Sequence, residues 1–547
     1  MYYFNKNKLE QHLYHPFWQS FYMIALVLSM TIIISSGLLF VWQRYFVSED
    51  LENILPARNT VLLARLDLNP FKTQTHNFRN LIGKYPEIAP AQILKEFKLL
   101  EEENVYNSDL EITPWMGHKS SFVILEDNEE FYPLLFLQYT DSRILDIFIK
   151  ERLNTIDQEA QPSLLFGSQK FYFEVLDNYL ALSTSPLTLG MLDQEEVPKL
   201  RQDPIWQELQ DKVPAGKILN VFFRPKQYYE FLLGSQAESK LASLVSSYFK
   251  KVDAAMARLT INSDSAKISI SASPSQYLSA VNKSYSPSLL GYVAKEDVYF
   301  LNGTDLNYKL TNTTDNLSSN KIALGIPWSV FDSVWKDKSG LDLNSDILEF
   351  INGEYLYLEG VDNNSQRFLL KISADRQEQL IQNLKQALEA YIPQINSSKV
   401  SRTLPDGSSY QELVASSPVT LELSEEEVEG QKILSYKYPK LDFGLYYFTM
   451  GDVLVLAPHL EGIKLALQAQ SLKLDPLLSE LGYPVSELSL INLESFESNK
   501  HSIPVSDKIL DFTAKLNNIY PDLLLNQSID ATSIKSEIIF FNRNYVE

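Results

Sequence analysis

The feature that most constrains the fold is that the chain repeats itself. Asn107-Ser108-Asp109 recurs as Asn344-Ser345-Asp346, and Gly117 in "EITPWMGHKSSFVILED" has a counterpart in Gly353 of "NGEYLYLEG". An apolar strand pattern follows each glycine. "FYPLLFLQYTDS" is then matched by "QRFLLKISAD", and each leads into an amphipathic helix. Leu145, Phe148, Ile149 and Leu153 share one face of the first helix, and Leu380, Ile381, Leu384 and Leu388 share one face of the second. Farther on, "DNYLALSTSPLTLGML" from Asp177 resembles "GDVLVLAPHLEGIKLAL" from Gly451. Asp203-Pro204 recurs as Asp475-Pro476, and Leu219-Asn220-Val221 as Ile491-Asn492-Leu493. Single dipeptide matches arise by chance, but a collinear series of them does not.

Two copies follow, over residues 51–285 and 286–547, with an acidic, polar insertion near 396–430 expected as a loop of the second copy alone. Both copies close on alternating apolar and polar residues, "RLTINSDSAKISISAS" and "SIDATSIKSEIIFF", the pattern of half-buried strands. The expected fold class is α+β, two tandem, duplicated units of antiparallel sheet with helices packed on one face. Gly117 and Gly353 are expected to adopt positive φ at the end of a helical or turn segment. Trp115 is expected to anchor a core.

Between Glu10 and Arg44 there is no charged residue, and residues 17–42 are almost wholly apolar. About 20 apolar residues span a bilayer, so residues 16–43 are expected to form a single transmembrane helix, a signal anchor in contact with the lipid bilayer. Trp18 and Tyr22 near one end, and Trp42 and Tyr45 at the other, suit the headgroup level. A cleaved signal peptide fits less well, because the run is too long and no small-residue cleavage site follows it. Lys6 and Lys8 precede the span and Arg44 and Arg58 follow it, so the charge count nearly ties. The immediate flanks favour a short cytoplasmic tail over residues 1–15, with the rest of the chain outside.

The formal net charge of −21 sets the surface against nucleic acid, and the nearest basic cluster is the pair Lys250 and Lys251. With no cysteine, disulfides, thiol catalysis and thiolate metal sites are excluded. The histidines, His12, His15, His76, His118, His459 and His501, form no metal-binding or catalytic spacing, and His118 reads as an ordinary turn residue. Ser318-Ser319-Asn320-Lys321 spells an isolated S-x-x-K inside a polar loop, without its companion motifs. The "SEEEVE" at 424–429 lacks the Asp/Asn alternation and glycine of a calcium loop and reads as a solvated acidic stretch. The sequons at Asn302 and Asn312 would matter only in a glycosylating host. No catalytic, cofactor-binding or metal-binding residue is assigned, and no cofactor is implied.

"LPARNTVLLARLDLNP", the "KYP" at 84–86 and "EITPWMGHKSSFVILED" resemble the bacterial family called domain of unknown function 3352. Members often show a Leu-Pro start after an N-terminal membrane segment and a Pro-Trp-Leu-Gly-like turn before a strand; Met116 stands here in the leucine position. The resemblance covers mainly residues 54 to about 195. It implies a membrane-anchored envelope protein and carries over no catalytic residue. The expected function is therefore that of a single-pass, extracytoplasmic, non-enzymatic binding or scaffolding component of the bacterial cell envelope, with other envelope proteins as partners. The alternative is an envelope hydrolase, or a lipid- or peptide-binding protein, with a site between the two repeats.

Overall fold

Runs rich in Val, Leu, Ile and aromatic residues, set between turn residues, make nearly half of the described residues antiparallel strand. The structure is a computed structural model describing residues 51–69, 72–84, 115–128, 130–153, 162–166, 169–176, 178–192, 197–214, 218–225, 252–275, 284–306, 336–337, 339–362, 364–395, 398–405, 408–414, 420–437, 444–468, 472–493, 520–530 and 532–542.

The first part of the chain supplies β1 (Thr60–Asp67), β2 (Met116–Asp127), β3 (Glu130–Tyr139), β4 (Ser163–Phe166), β5 (Gln169–Leu176), β6 (Tyr179–Ser183), β7 (Leu219–Phe223), β8 (Val252–Ile261) and β9 (Ser265–Pro274). They pair antiparallel in the spatial order β4-β5-β6-β3-β2-β1-β7-β8-β9. The second part supplies β10 (Asp297–Thr304), β11 (Glu354–Gly360), β12 (Arg367–Lys371), β13 (Ser398–Thr403), β14 (Ser409–Val414), β15 (Leu423–Val428), β16 (Gln431–Lys437), β17 (Gly444–Met450), β18 (Val453–Ala457), β19 (Glu487–Asn492), β20 (Asp522–Ile529) and β21 (Ile534–Phe541). Their order is β15-β16-β17-β18-β12-β11-β10-β19-β20-β21, the first order repeated with β15 added at the edge. Tight turns join the hairpins. Glu429 and Gly430 both hold positive φ, 52° and 74°, between β15 and β16, the turn geometry that matches the twist of paired strands.

The two sets meet where β9 pairs antiparallel with β21, Ser265 opposite Phe541 through Ala272 opposite Ile534. The turn Asn262–Ser265 corresponds to Asp530–Ser533, each closed by a backbone hydrogen bond of 2.8 and 2.9 Å. Counting from those turns, Ser269 and Glu537 are counterparts, and they face each other across the pair. A pseudo-two-fold axis therefore passes between them.

This corrects the expected fold class. Instead of two tandem sheets the chain builds one continuous antiparallel sheet of 19 strands, because the last strand of each set pairs with the other. Helices cover both faces, not one. On one face α3 (Pro186–Gly190) and α4 (Pro204–Lys212) pack Leu189, Trp206 and Leu209 on the first set, while α7 (Leu460–Gln468) and α8 (Asp475–Glu480) pack Ile463 and Leu477 on the second. On the other face α1 (Thr73–Lys84) lays Phe78 and Leu81 on a core shared by both sets, from Leu62 and Val221 to Leu523 and Phe540. There too α2 (Ser142–Arg152) buries Leu145 and Phe148, and α5 (Leu343–Asp346) and α6 (Ala374–Ile395) bury Leu343, Leu380 and Ile381. The expected membrane helix at 16–43 and the tail at 1–15 lie outside the described residues. Among those described, no helix is long and apolar enough to cross a membrane, so the transmembrane element of the expected fold class is not supported.

Smaller expectations also change. The insertion near 396–430 is not a loop: β13 and β14 form a separate hairpin and β15 extends the sheet. Gly117 lies inside β2, and Gly353 is required for close approach rather than positive φ, since a Cβ there would stand 2.3 Å from the Lys371 carbonyl oxygen.

Trp115 is fully buried, its ring 5.2 Å from that of Phe148, in a cluster with Leu137, Leu145 and Leu180. Trp115→Ala should leave a cavity and cost about 3–5 kcal/mol in denaturant unfolding. A variant as stable as the wild type would contradict the packing described.

Candidate functional site

On the face that carries α4 and α8, apolar clusters of the two sets are separated by a row of polar side chains. Arg65 of β1 faces Asn220 of β7, which faces Arg258 of β8, then Ser269 of β9 and Glu537 of β21. Residues directly opposite in antiparallel strands project to the same side, so these groups form one seam. At its first-set end the seam floors a cleft of about 460 Å³, walled by the turn that carries Glu52, by Asp67 and Lys72, and by Arg201, Trp206 and Gln210.

Local chemistry fixes each wall. Asp203 caps α4, its Oδ1 accepting from the Ile205 and Trp206 amides at 2.8 and 3.3 Å, which aligns the first turn. Its Oδ2 accepts from Arg224 Nη2 at 2.5 Å, and Arg224 also donates to the Ala57 and Thr60 carbonyls at 3.1 and 3.2 Å. The helix is thus tied to the chain entering β1, and Trp206 is held edge-on to Phe222 with centroids 5.0 Å apart. Arg65 pairs with Glu52. Asp67 accepts from Lys72 Nζ at 2.6 Å and from the Asn69 amide at 3.1 Å. Arg201 donates only a long 3.4 Å bond to Asn53.

Arg258 differs from the others. It is 6% exposed, and its Nη atoms donate to the carbonyls of Gln210, Val213 and Pro214 and to Gln210 Oε1. These acceptors are neutral. Burial lowers its pKa from the usual arginine value. Among the described residues lining the cleft none is Ser, Thr, Cys or His; its carboxylates are paired, Glu52 with Arg65 and Asp67 with Lys72, and the arrangement offers four cations and an indole.

The residues singled out in the sequence lie elsewhere. His118 is no exposed turn residue: it sits in β2 with its side chain 8% exposed and Nε2 3.7 Å from Asp67 Oδ1. Burial holds its pKa below the usual value against the opposing pull of Asp67, so it is neutral at neutral pH. His76 lies exposed on α1 and His459 just before α7, apart from the cleft. His12, His15, His501, Lys250, Lys251, Asn312 and Ser318–Lys321 fall outside the described residues. "SEEEVE" is part of β15 and its turn, where Glu425 and Glu426 pair with Lys432 at 2.6 Å and Lys437 at 3.0 Å. No cluster of metal-binding side chains occurs among the described residues. Asn302 is fully buried in β10, which removes it as a glycosylation acceptor.

The most deeply buried charges serve the fold. Arg367 and Asp297, both fully buried, form a two-pronged pair at 2.8 and 2.6 Å, and Asp297 also accepts from the Ala294 amide at 2.7 Å. Arg367→Met should cost about 3–5 kcal/mol in urea unfolding by leaving Asp297 buried and unpaired, and adding Asp297→Leu should recover most of that loss. A single variant of wild-type stability would contradict this.

No curated protein matches the chain. Crystal forms III, IV and I of TP0453 are similar at 8, 8 and 11% identity over 42% of this chain and 80, 81 and 80% of theirs. With TM-scores of 0.24, 0.24 and 0.23, that likeness is too slight to bear on fold or function. The family model described as "Protein of unknown function (DUF3352)" matches residues 89–403, more than half of the chain, and the chain belongs to that family.

Proposed function

We propose that the protein is a non-enzymatic binding component of the bacterial cell envelope that works outside the cytoplasm, with the cleft over Arg65, Asn220 and Arg258 as its ligand site and other envelope proteins as partners. The observation that carries the reading is the lining itself: four cations against two carboxylates that are already paired, beside an indole held by packing. An envelope location is the expectation drawn from the family resemblance and from residues 17–42, which are almost wholly apolar. The net charge of −21 argues against nucleic acid as the partner.

The reading is tested in cells lacking the protein. Lys72→Glu with Arg201→Glu reverses two exposed charges at the cleft rim and should fail to restore the wild-type envelope phenotype, although the protein reaches normal levels. Protease added to intact spheroplasts should digest the chain from outside. Full restoration by the double variant, or digestion only after the membrane is opened, would contradict the proposal.

A further inference from the structure

We infer that the cleft binds an oxyanion, a phosphate or carboxylate group carried on a larger molecule, and that the second copy has closed the corresponding site with a carboxylate of its own. The inference rests on the binding role proposed above and names the ligand class.

The charge of the cleft points to an anion. Arg65, Lys72, Arg201 and Arg258 line it against only Glu52 and Asp67, in a chain whose net charge is −21. Glu52 and Asp67 are each already engaged, by Arg65 and by Lys72. No carboxylate of the described residues lies within ion-pair distance of Arg201 or Arg258. Arg258 is the more telling of the two. A guanidinium withdrawn from water with only neutral acceptors retains a large desolvation cost, which an arriving anion relieves. Its buried Nε and the buried Oδ1 of its neighbour Asn220 have no hydrogen-bond partner among the described residues.

The strand register shows what the second copy does at the same place. β1 pairs with β2 and β7 as β10 pairs with β11 and β19, which makes Asn302 the counterpart of Arg65, Leu488 of Asn220, Asn526 of Arg258 and Glu354 of Lys119. Both arginines of the first seam are replaced by asparagines. Glu354, 7% exposed, takes the Ser288 amide at 2.8 and 3.0 Å, the Leu289 amide at 2.9 Å and Asn302 Nδ2 at 3.1 Å. Ser288 and Leu289 open the short turn that corresponds to the Glu52 turn of the first copy. An internal oxyanion thus occupies the second copy's position; in the first copy Lys119 stands there, and Glu52 is taken up by Arg65 while Arg201 and Arg258 meet no carboxylate among the described residues. A cleft of about 460 Å³ admits more than an inorganic ion, and Trp206 and Ile218 add apolar lining for the remainder.

The test uses the full-length protein with inorganic phosphate, acetate, and vesicles of phosphatidylglycerol or of phosphatidylcholine, read by calorimetry and co-sedimentation. Phosphate should bind, more weakly as salt rises. Lys72→Gln with Arg201→Gln, both at exposed positions, should weaken it about tenfold or more while leaving the unliganded melting temperature unchanged. Co-sedimentation of the wild type, but not the variant, with phosphatidylglycerol alone would identify a lipid headgroup; phosphate binding without vesicle binding would identify a small soluble anion. Either supports the site. Absence of binding to phosphate, acetate and anionic vesicles, or equal binding by the variant, overturns it. Arg258→Gln adds a second measure in any preparation that stays folded, with the same expectation. Whether these variants restore the envelope phenotype bears on the proposed cellular role alone.

Discussion

Strands β9 and β21 each end their set, and unpaired each would present a row of backbone donors and acceptors, the liability of every exposed sheet edge. Their pairing satisfies both rows at once and turns two sheets into one. Because each strand meets its own counterpart, the join has the geometry of a symmetric dimer interface placed inside one chain. Glu537 then breaks the symmetry. Fully buried at the axis, it accepts from the Gly482 and Tyr483 amides at 2.9 and 3.0 Å and from Ser269 Oγ at 3.3 Å, with Lys267 Nζ at 3.5 Å. Gly482 is needed beside it, since a Cβ there would come within 2.8 Å of Pro214 of the first set.

That asymmetry extends along the whole seam. Where the first set keeps Arg65 and Arg258, the second has Asn302, held by Glu354 and the Tyr355 carbonyl, and Asn526, whose Nδ2 reaches the Tyr483 and Pro484 carbonyls at 3.4 Å. In the second copy Glu354 takes up the Ser288 and Leu289 amides and Asn302 internally. The other retains a charged cleft, the site proposed above for a ligand.

Much of this order was legible in the sequence, and the failures have physical causes. The repeat was visible because strands and their turns keep their spacing, so Asn178 and Asp452 sit at equivalent points before β6 and β18. The match of Asn220 with Asn492 was misleading: α8 has 6 residues where α4 has 9, and the register makes Leu488 the counterpart instead. The single sheet was not legible, because nothing in the alternation of "KISIS" says which edge it will meet. Nor was the cleft, whose residues come from five separated segments. A trace of it was present, though, in two Ala-Arg-Leu tripeptides, at 64–66 and 257–259, each placing one arginine among apolar neighbours in a strand. Such a residue needs a partner or a ligand. Gly353 was noticed for the right residue and the wrong reason, since close approach leaves no local signature that distinguishes it from a turn.

The central claim is that β9 and β21 join the two sets into one cooperative sheet, and native-state amide hydrogen exchange on the full-length protein measures it most directly. The ladder amides of residues 266–272 and 534–540 should exchange only through the same opening as the buried strands β8 and β20, with the same denaturant dependence. Exchange of β9 and β21 through a separate opening of much lower free energy, while β8 and β20 stay protected, would contradict it.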